Sequence, residues 1–139
     1  MSYLIDTNVL SELRRKAPDA RVVAWFLQRP AATLYLSVLT LGEIRKGIDV
    51  LPDEARRLPL LDWLETELPA YFAGRILPVD AAVADRWGRL LAQAPRPIPD
   101  STIDSLLAAT AAQHGLLLVT RNVRDMQGLG VQIINPWAE

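Results

Sequence analysis

Cysteine is absent from this chain of 139 residues, which excludes disulfide bonds, thiolate metal sites and a cysteine nucleophile. The same absence fits a reducing compartment. Histidine occurs once, as His114, so a mechanism based on a histidine triad has a single candidate base. We interpret His114 as a basic residue at the C-terminal end of a helix rather than as that base.

An excess of charge of one sign is also lacking, because 15 basic and 16 acidic residues leave a net charge of -1. No global field therefore draws the chain to nucleic acid or to an anionic membrane, and such binding has to use local patches. No apolar run is long enough to span a bilayer, and the N-terminus has no basic leader. We expect a cytoplasmic protein with no membrane partner that forms one domain over residues 1–139.

Glycine-rich phosphate loops are missing as well, which leaves dinucleotide and P-loop chemistry without their phosphate-binding motifs. What the chain does contain is an alternation of short apolar runs with helical patterns, which predicts an α/β fold with a mostly parallel sheet covered by helices in three layers. The predicted strands are 3–5, 34–36, 75–79, 116–119 and 131–134. The predicted helices are 8–15, 19–28, 38–50, 53–72, 81–94 and 102–114.

Two proline-containing segments qualify that prediction. Pro59 and Pro69 lie inside the fourth predicted helix and should break or kink it. The segment 94–99 contains three prolines and predicts a stiff surface connection rather than a domain linker. Gly115 stands where the last predicted helix should end.

Four acidic residues are placed where such a sheet could bring them to one edge: Asp6, Glu43, Asp104 and Asp125. Asp6 and Asp125 follow apolar runs, and open α/β sheets form their crevice at the carboxyl ends of the strands. Carboxylates gathered in one crevice repel each other, and a hard divalent cation is the commonest reason for tolerating that repulsion. The set therefore predicts a site for Mg²⁺ or Mn²⁺.

Each acid also has a purely structural interpretation. Asp6 could simply cap the first helix. Glu43 and Asp104 have the spacing of capping boxes that begin at Thr40 and Ser101, and Asp125 could be a solvated turn acid. Taken singly these alternatives stay open, but only a shared site accounts for all four acids together.

Several segments of the sequence, taken in order, resemble the PIN-domain ribonucleases, and among them the VapC-type toxins of prokaryotic toxin–antitoxin pairs, close to the FitB branch. The matching segments are LIDTNVLSE at 4–12, SVLTLGEIRKG at 37–47, IDSLLAATA at 103–111, VTRNVRD at 119–125 and NPW at 135–137. The resemblance covers essentially the whole chain. Their ordered combination is far more specific than any single segment.

This resemblance implies a PIN-like fold with an acidic pocket that binds Mg²⁺ or Mn²⁺ and cleaves RNA endonucleolytically. Asp6, Glu43 and Asp104 match the first three acids of the family pattern, with Asp6 and Asp104 as primary metal ligands and Glu43 available to a second metal or to the attacking water. A bound cation would activate that water. The family also implies a homodimer and a small DNA-binding antitoxin of the VapB or FitA kind.

The fourth acid is where the chain departs from the family pattern. Many relatives have an acid at the position of Asn122, so Asp125 would have to supply the charge. Thr120 matches a hydroxyl residue that orients the first acid. Asp100, one helical turn before Asp104, is more simply a loop acid than a member of the pocket.

Four basic residues flank the proposed acids and could hold phosphates of an RNA strand: Arg45, Lys46, Arg121 and Arg124. The resemblance extends to substrates, because family members act on transfer RNA or ribosomal RNA, but nothing in the sequence selects a target. Two other functions remain open. A phosphatase of the HAD type needs a second Asp where this chain has Asn8, and a non-catalytic PIN-like scaffold is favoured by the amide at Asn122.

Overall fold

A five-stranded, fully parallel sheet forms the centre of the computed structural model, which describes residues 1–95 and 102–138. The strands are β1 Tyr3–Ile5, β2 Leu34–Ser37, β3 Ile76–Leu77, β4 Leu117–Val119 and β5 Ile133–Ile134. Their order across the sheet is β3-β2-β1-β4-β5. The first strand is thus central, and its Ile5 pairs with Val119 of β4.

Helices connect the strands, as parallel pairing requires. They are α1 Thr7–Leu13, α2 Ala20–Leu27, α3 Val38–Asp49, α4 Glu54–Asp62, α5 Leu68–Tyr71, α6 Ala81–Gln93, α7 Thr102–His114 and α8 Val123–Met126, with a π-helical turn at Trp63–Glu67 and 3₁₀ turns at Ala31–Thr33 and Gln127–Leu129. None of the helices in the described ranges is long and apolar enough to cross a bilayer.

Two apolar cores lie on opposite faces of the sheet, because neighbouring residues of a strand point to opposite sides. Tyr3 and Ile5 pack into the core that α1, α2, α3 and the π turn cover. Leu4 packs into the other core, together with Leu107 of α7 and Met126 of α8. The expected three-layer α/β architecture is therefore confirmed.

Helix ends follow the local chemistry of the sequence. Asp residues cap α2, α4 and α6, and each accepts a backbone N–H of the first turn. Gly115 adopts φ 65° directly after His114, and the N–H of Leu116 donates to the carbonyl of Ala111 over 2.8 Å. That pairing is typical of a Schellman motif, so the predicted glycine stop and the place of His114 at the end of α7 are both confirmed.

The chain does not break at either proline of the predicted helix 53–72, but its α-helical hydrogen bonding is interrupted between them. Pro59 lies inside α4, and the chain remains helical through Pro69 by way of the π turn, in which Leu68 N–H bonds to the carbonyl of Trp63. An i→i−5 bond widens the helix immediately before the second proline, which relieves the clash of its ring with the preceding turn. Most of the proline-containing segment 94–99, together with Asp100, lies outside the described residues.

Candidate active site

Asp6 follows β1 directly and is the most buried of the four acids, with 3% of its surface exposed. Its backbone N–H extends the pairing with β4 by donating to the carbonyl of Val119 over 2.9 Å. Its Oδ1 accepts the backbone N–H of Thr7 over 2.7 Å, which makes Asp6 the N-cap of α1. Its Oδ2 accepts the hydroxyl of Thr120 over 2.7 Å. Asp6 therefore caps α1 and is bonded to the residue that follows β4 at the same time.

Burial raises the pKa of Asp6 to about 6, because desolvation penalises the charged carboxylate. The hydrogen bonds from Thr120 and Thr7 oppose that rise, and repulsion by the charges of Asp104 and Glu43 adds to it. The three carboxylates thus lie close enough to influence one another. A cation between them would remove both the repulsion and part of the desolvation cost.

Glu43 projects from α3 toward the start of α1, where the hydroxyl of Thr7 donates to Glu43 Oε1 over 2.6 Å. The capping-box interpretation of Glu43 is wrong, because α3 begins at Val38 with Ser37 as its N-cap. Asp104 lies in the first turn of α7. Four elements therefore bring the three acids together: the end of β1, the first turns of α1 and α7, and the middle of α3.

These side chains line one open cavity of about 410 Å³. Three of the predicted acids take part in it, and so do two amides and two arginines. The lining residues are Asp6, Thr7, Asn8, Ser11, Glu12, Arg15, Glu43, Asp104, Arg121, Asn122 and Trp137. The cavity lies beyond the carboxyl ends of β1 and β4, where open α/β sheets place their ligand sites.

The fourth position of the pocket holds Asn122, which is among the lining residues, whereas Asp125 is not. Asn122 is fixed by its backbone N–H, which donates to Thr120 Oγ1 over 3.0 Å. Asp125 lies half-buried in the first turn of α8. Thr120 links the two strand ends, because it also donates to Asp6, which is the contact that an orienting role requires.

The four predicted basic residues separate in space. Arg121 lines the cavity, and Lys46 lines a neighbouring groove that shares Glu43 with it. Arg45 lies on α3 with a guanidinium nitrogen 3.7 Å from Glu65. Arg124 is exposed on α8. Of the four, Arg121 is the one that reaches the acidic pocket.

The inner face of α1 contributes site residues that we did not predict from the sequence. Asn8 Nδ2 donates to Asp6 Oδ2 over 3.3 Å, and Asn8 Oδ1 accepts the backbone N–H of Arg121 over 3.3 Å. Glu12 and Arg15 line the same cavity. Residues 8, 11, 12 and 15 follow the spacing of one helix face, so a polar stripe next to Asp6 was the available signal.

The donor set fits a hard divalent cation. Asp6, Glu43 and Asp104 offer carboxylate oxygens, which Mg²⁺ and Mn²⁺ prefer over softer ligands. Within residues 1–95 and 102–138 no three acids or histidines approach closely enough to form a complete ligand cluster by themselves. Mg²⁺ characteristically binds through one or two carboxylates and keeps several waters, so a site for it would not need three protein ligands.

Known proteins share both the sequence and this geometry. The PIN domain model matches residues 3–127. The VapC ribonuclease Y4jK of Sinorhizobium fredii is 38% identical over 96% of both chains, and Toxin FitB of Neisseria gonorrhoeae is 37% identical over 96% of this chain and 97% of its own. A solved structure of FitAB bound to the IR36 DNA fragment matches with a TM-score of 0.90 and 36% identity, over 97% of this chain and 95% of that one.

Each match extends over nearly the full length of both partners, so it concerns the whole fold and not one motif. The segment that the family model matches also contains Asp6, Glu43, Asp104 and Asn122. The chain therefore belongs to the PIN-domain family, in the group that includes the VapC- and FitB-type proteins.

Proposed function

We propose that this protein is an endoribonuclease that depends on Mg²⁺ or Mn²⁺ and acts as the toxin of a toxin–antitoxin pair. The observation that carries the proposal is the convergence of Asp6, Glu43 and Asp104 on one open cavity, with Asp6 buried and its pKa raised. The relatives named as a VapC ribonuclease and a FitB toxin support the reaction and the role.

Asp6 and Asp104 would hold the cation, and Glu43 would orient the water that attacks the phosphodiester. When bound, the cation would supply Lewis-acid charge to the phosphate and lower the pKa of the attacking water. Thr120 and the backbone N–H of Thr7 keep the Asp6 carboxylate in one orientation. Glu43 is steadied in the same way by the hydroxyl of Thr7.

Such a mechanism has no need of the RNA 2′-hydroxyl as a nucleophile. The preference for RNA then has to come from shape and from single-stranded segments, whose bases proteins recognise after splaying them out. The open cavity can admit an extended strand, and its lining combines the acids with two arginines. Transfer RNA and ribosomal RNA, the substrates that the family resemblance suggests, both expose such segments.

A small antitoxin is the cellular partner in this proposal. An accessible cluster of carboxylates is a suitable site for an arginine or lysine that a partner inserts. The FitAB structure bound to DNA supports a complex that also binds DNA. Because this chain has a net charge of -1, we assign DNA binding by the complex to the antitoxin. A homodimer in the cytoplasm remains our expectation for the toxin itself.

Cleavage of a single-stranded RNA by the purified protein tests the reaction. Activity should be lost in EDTA and restored by Mg²⁺ or Mn²⁺, and the products should carry 3′-hydroxyl and 5′-phosphate ends, as attack by water requires. Asp6→Asn and Asp104→Asn should each abolish cleavage. Asp49→Asn removes an exposed carboxylate of α3 outside the cavity and serves as the matched control.

Two outcomes would contradict this mechanism: cleavage that survives EDTA, or products with cyclic phosphate ends. Asp125→Asn separates the two candidates for the fourth position, because it should impair cleavage only if Asp125 reaches the metals during the reaction. If the folded wild-type protein shows no turnover with either metal, the non-catalytic scaffold becomes the better interpretation. Asn122 in the pocket is the observation that favours that alternative.

A further inference from the structure

The lining of the cavity includes an arginine that the fold holds in place. Arg121 follows β4 directly, and its backbone N–H donates to Asn8 Oδ1 over 3.3 Å. Its guanidinium carbon lies 5.0 Å from the ring centroid of Trp137. A guanidinium over an indole face is attracted by the ring quadrupole and loses part of its rotational freedom. Arg121 and Trp137 both line the cavity of the carboxylates.

Trp137 is itself held in place by the residues around it. It is 8% exposed, its backbone N–H donates to Asn135 Oδ1 over 3.0 Å, and its side chain is among the groups that lower the pKa of Glu12. A side chain this buried has little freedom to rotate, so its ring offers Arg121 a fixed aromatic surface.

Glu12 lines the same cavity, at 5% exposure on the inner face of α1. Its Oε2 accepts the backbone N–H of Asp19 over 2.9 Å, and its Oε1 lies 3.4 Å from an Arg15 nitrogen. The Asp19 N–H, followed by the charge of Arg15, holds the pKa of Glu12 below its usual range. Glu12 thus stays a charged acceptor, with its partners supplied by the turn after α1 and by the start of α2.

We propose that Arg121 binds a phosphate of the RNA strand beside the scissile bond, and that the buried Trp137 is a positioning residue that orients the guanidinium in the cavity. Arg121 has the only guanidinium in the described cavity lining that stands over an aromatic ring. The guanidinium fork matches phosphate oxygens. Without a phosphate anchor, the three acids would repel the strand that the site has to admit.

This inference rests on the proposed nuclease function, but its test uses binding as well as cleavage. A fluorescent single-stranded RNA is titrated with protein in Ca²⁺, and its cleavage is measured in Mg²⁺ or Mn²⁺. Arg121→Ala should raise the dissociation constant and KM about tenfold with a smaller change in kcat, as loss of one charged hydrogen bond predicts. It should also reduce the slope of log affinity against log salt by about 0.7.

Trp137→Leu should raise KM about threefold, in the range expected for one cation–π contact. Trp137→Phe keeps an aromatic face without the indole N–H and should fall between Leu and the wild type. In the Arg121→Ala background, Trp137→Leu should have no further effect. Arg56→Ala removes an exposed arginine of α4 and is the matched control for charge.

The double variant separates positioning from general structural support. If Trp137→Leu weakens RNA binding equally with and without Arg121, Trp137 supports the fold and does not aim the guanidinium, and the inference fails. It also fails if Arg121→Ala binds RNA as tightly as the wild type. Absence of cleavage by the wild type would instead refute the nuclease proposal. In that case, RNA binding in Ca²⁺ that Trp137→Leu weakens only when Arg121 is present would still support the role of Arg121.

Discussion

A single buried carboxylate, Asp6, connects folding and chemistry in this protein. Its folded pKa of about 6 lies above the unfolded value of 3.8, so the native state holds its proton more tightly than the unfolded state does. The free energy of unfolding without metal should therefore fall as pH rises from about 4 to above 6. Between those limits the free energy of unfolding falls by at most about 3 kcal/mol, since each unit of pKa difference corresponds to about 1.4 kcal/mol.

We predict that Asp6→Asn flattens this pH dependence. In the presence of a chelator, the variant should lose less stability than the wild type between pH 4 and pH 7.5, because the neutral amide carries no desolvation cost. Urea unfolding at several pH values measures the difference. Thr120→Val removes a hydrogen bond that favours the ionised carboxylate and should steepen the dependence. Parallel curves for all three proteins would show that Asp6 does not titrate as described.

Asn122 stands where the family resemblance implies an acid, and the effect of a charge at this position can be tested directly. Asn122→Asp should tighten Mn²⁺ binding, because the affinity of such oxygen sites rises with ligand charge. Calorimetric titration of the metal measures it, with Asp125→Asn in parallel. Unchanged metal affinity in Asn122→Asp would mean that this side chain does not face the metals, although it lines the cavity.

Among the helices, α6 offers a clean test of capping energetics away from the site. Asp80 is its N-cap, and Asp80 Oδ1 accepts the N–H of Val83 over 3.0 Å. We predict that Asp80→Ala lowers the free energy of unfolding by about 1 kcal/mol, while Asp80→Asn loses only a small part of that. Denaturant unfolding gives both values. RNA cleavage should be unaffected, and equal stability of the two variants would rule out the side-chain cap.

Elements with a strong local signal were predictable, and elements that depend on tertiary context were not. The apolar run 3–5 is β1 as predicted, because it is flanked by polar residues and buried on both faces. Strand β3 was predicted over 75–79 but pairs only at Ile76–Leu77. Its pairing stops there because β2 ends at Ser37, the partner of Leu77. Helix α8 has four residues and no periodicity to detect.

The candidate site likewise has a part that was predictable from the sequence and a part that depends on tertiary contacts. Asp6, Glu43 and Asp104 were predicted from the sequence, and the fold brings them to one cavity. The contact between Thr7 and Glu43 joins residues 36 apart, and that of Trp137 with Arg121 depends on how the C-terminal segment turns. Neither follows from local spacing. Asp125 was predicted because it follows β4, but it lies in the short helix α8 and is not among the residues that line the cavity.

At the scale of the whole molecule, the prediction concerns growth. Strong expression of this protein alone should arrest growth, and co-expression of the adjacent upstream gene should relieve the arrest if that gene encodes the antitoxin. Asp6→Asn should be harmless without that gene. Colony counts after induction provide the measurement, with immunoblots to equalise protein levels. A harmless wild type, or an equally toxic Asp6→Asn, would favour the non-catalytic scaffold.

DNA binding gives a second readout of the same assembly. The isolated protein should not shift a promoter fragment at physiological salt, because its net charge of -1 supplies no general attraction to phosphates. The complex with its antitoxin should shift that fragment. A shift produced by this chain alone would transfer the DNA-binding role from the partner to the toxin.

The placement of β1 at the centre of the sheet has a consequence for the ribosome that makes this protein. Asp6 is synthesised among the first residues, yet its Thr120 partner is 114 positions later, and the strand that completes the pocket is β4. At about 5–20 residues per second, translation takes several seconds to supply it. A nascent chain therefore lacks the completed pocket until β4 has been synthesised, and we expect the products of premature termination to lack the proposed nuclease activity.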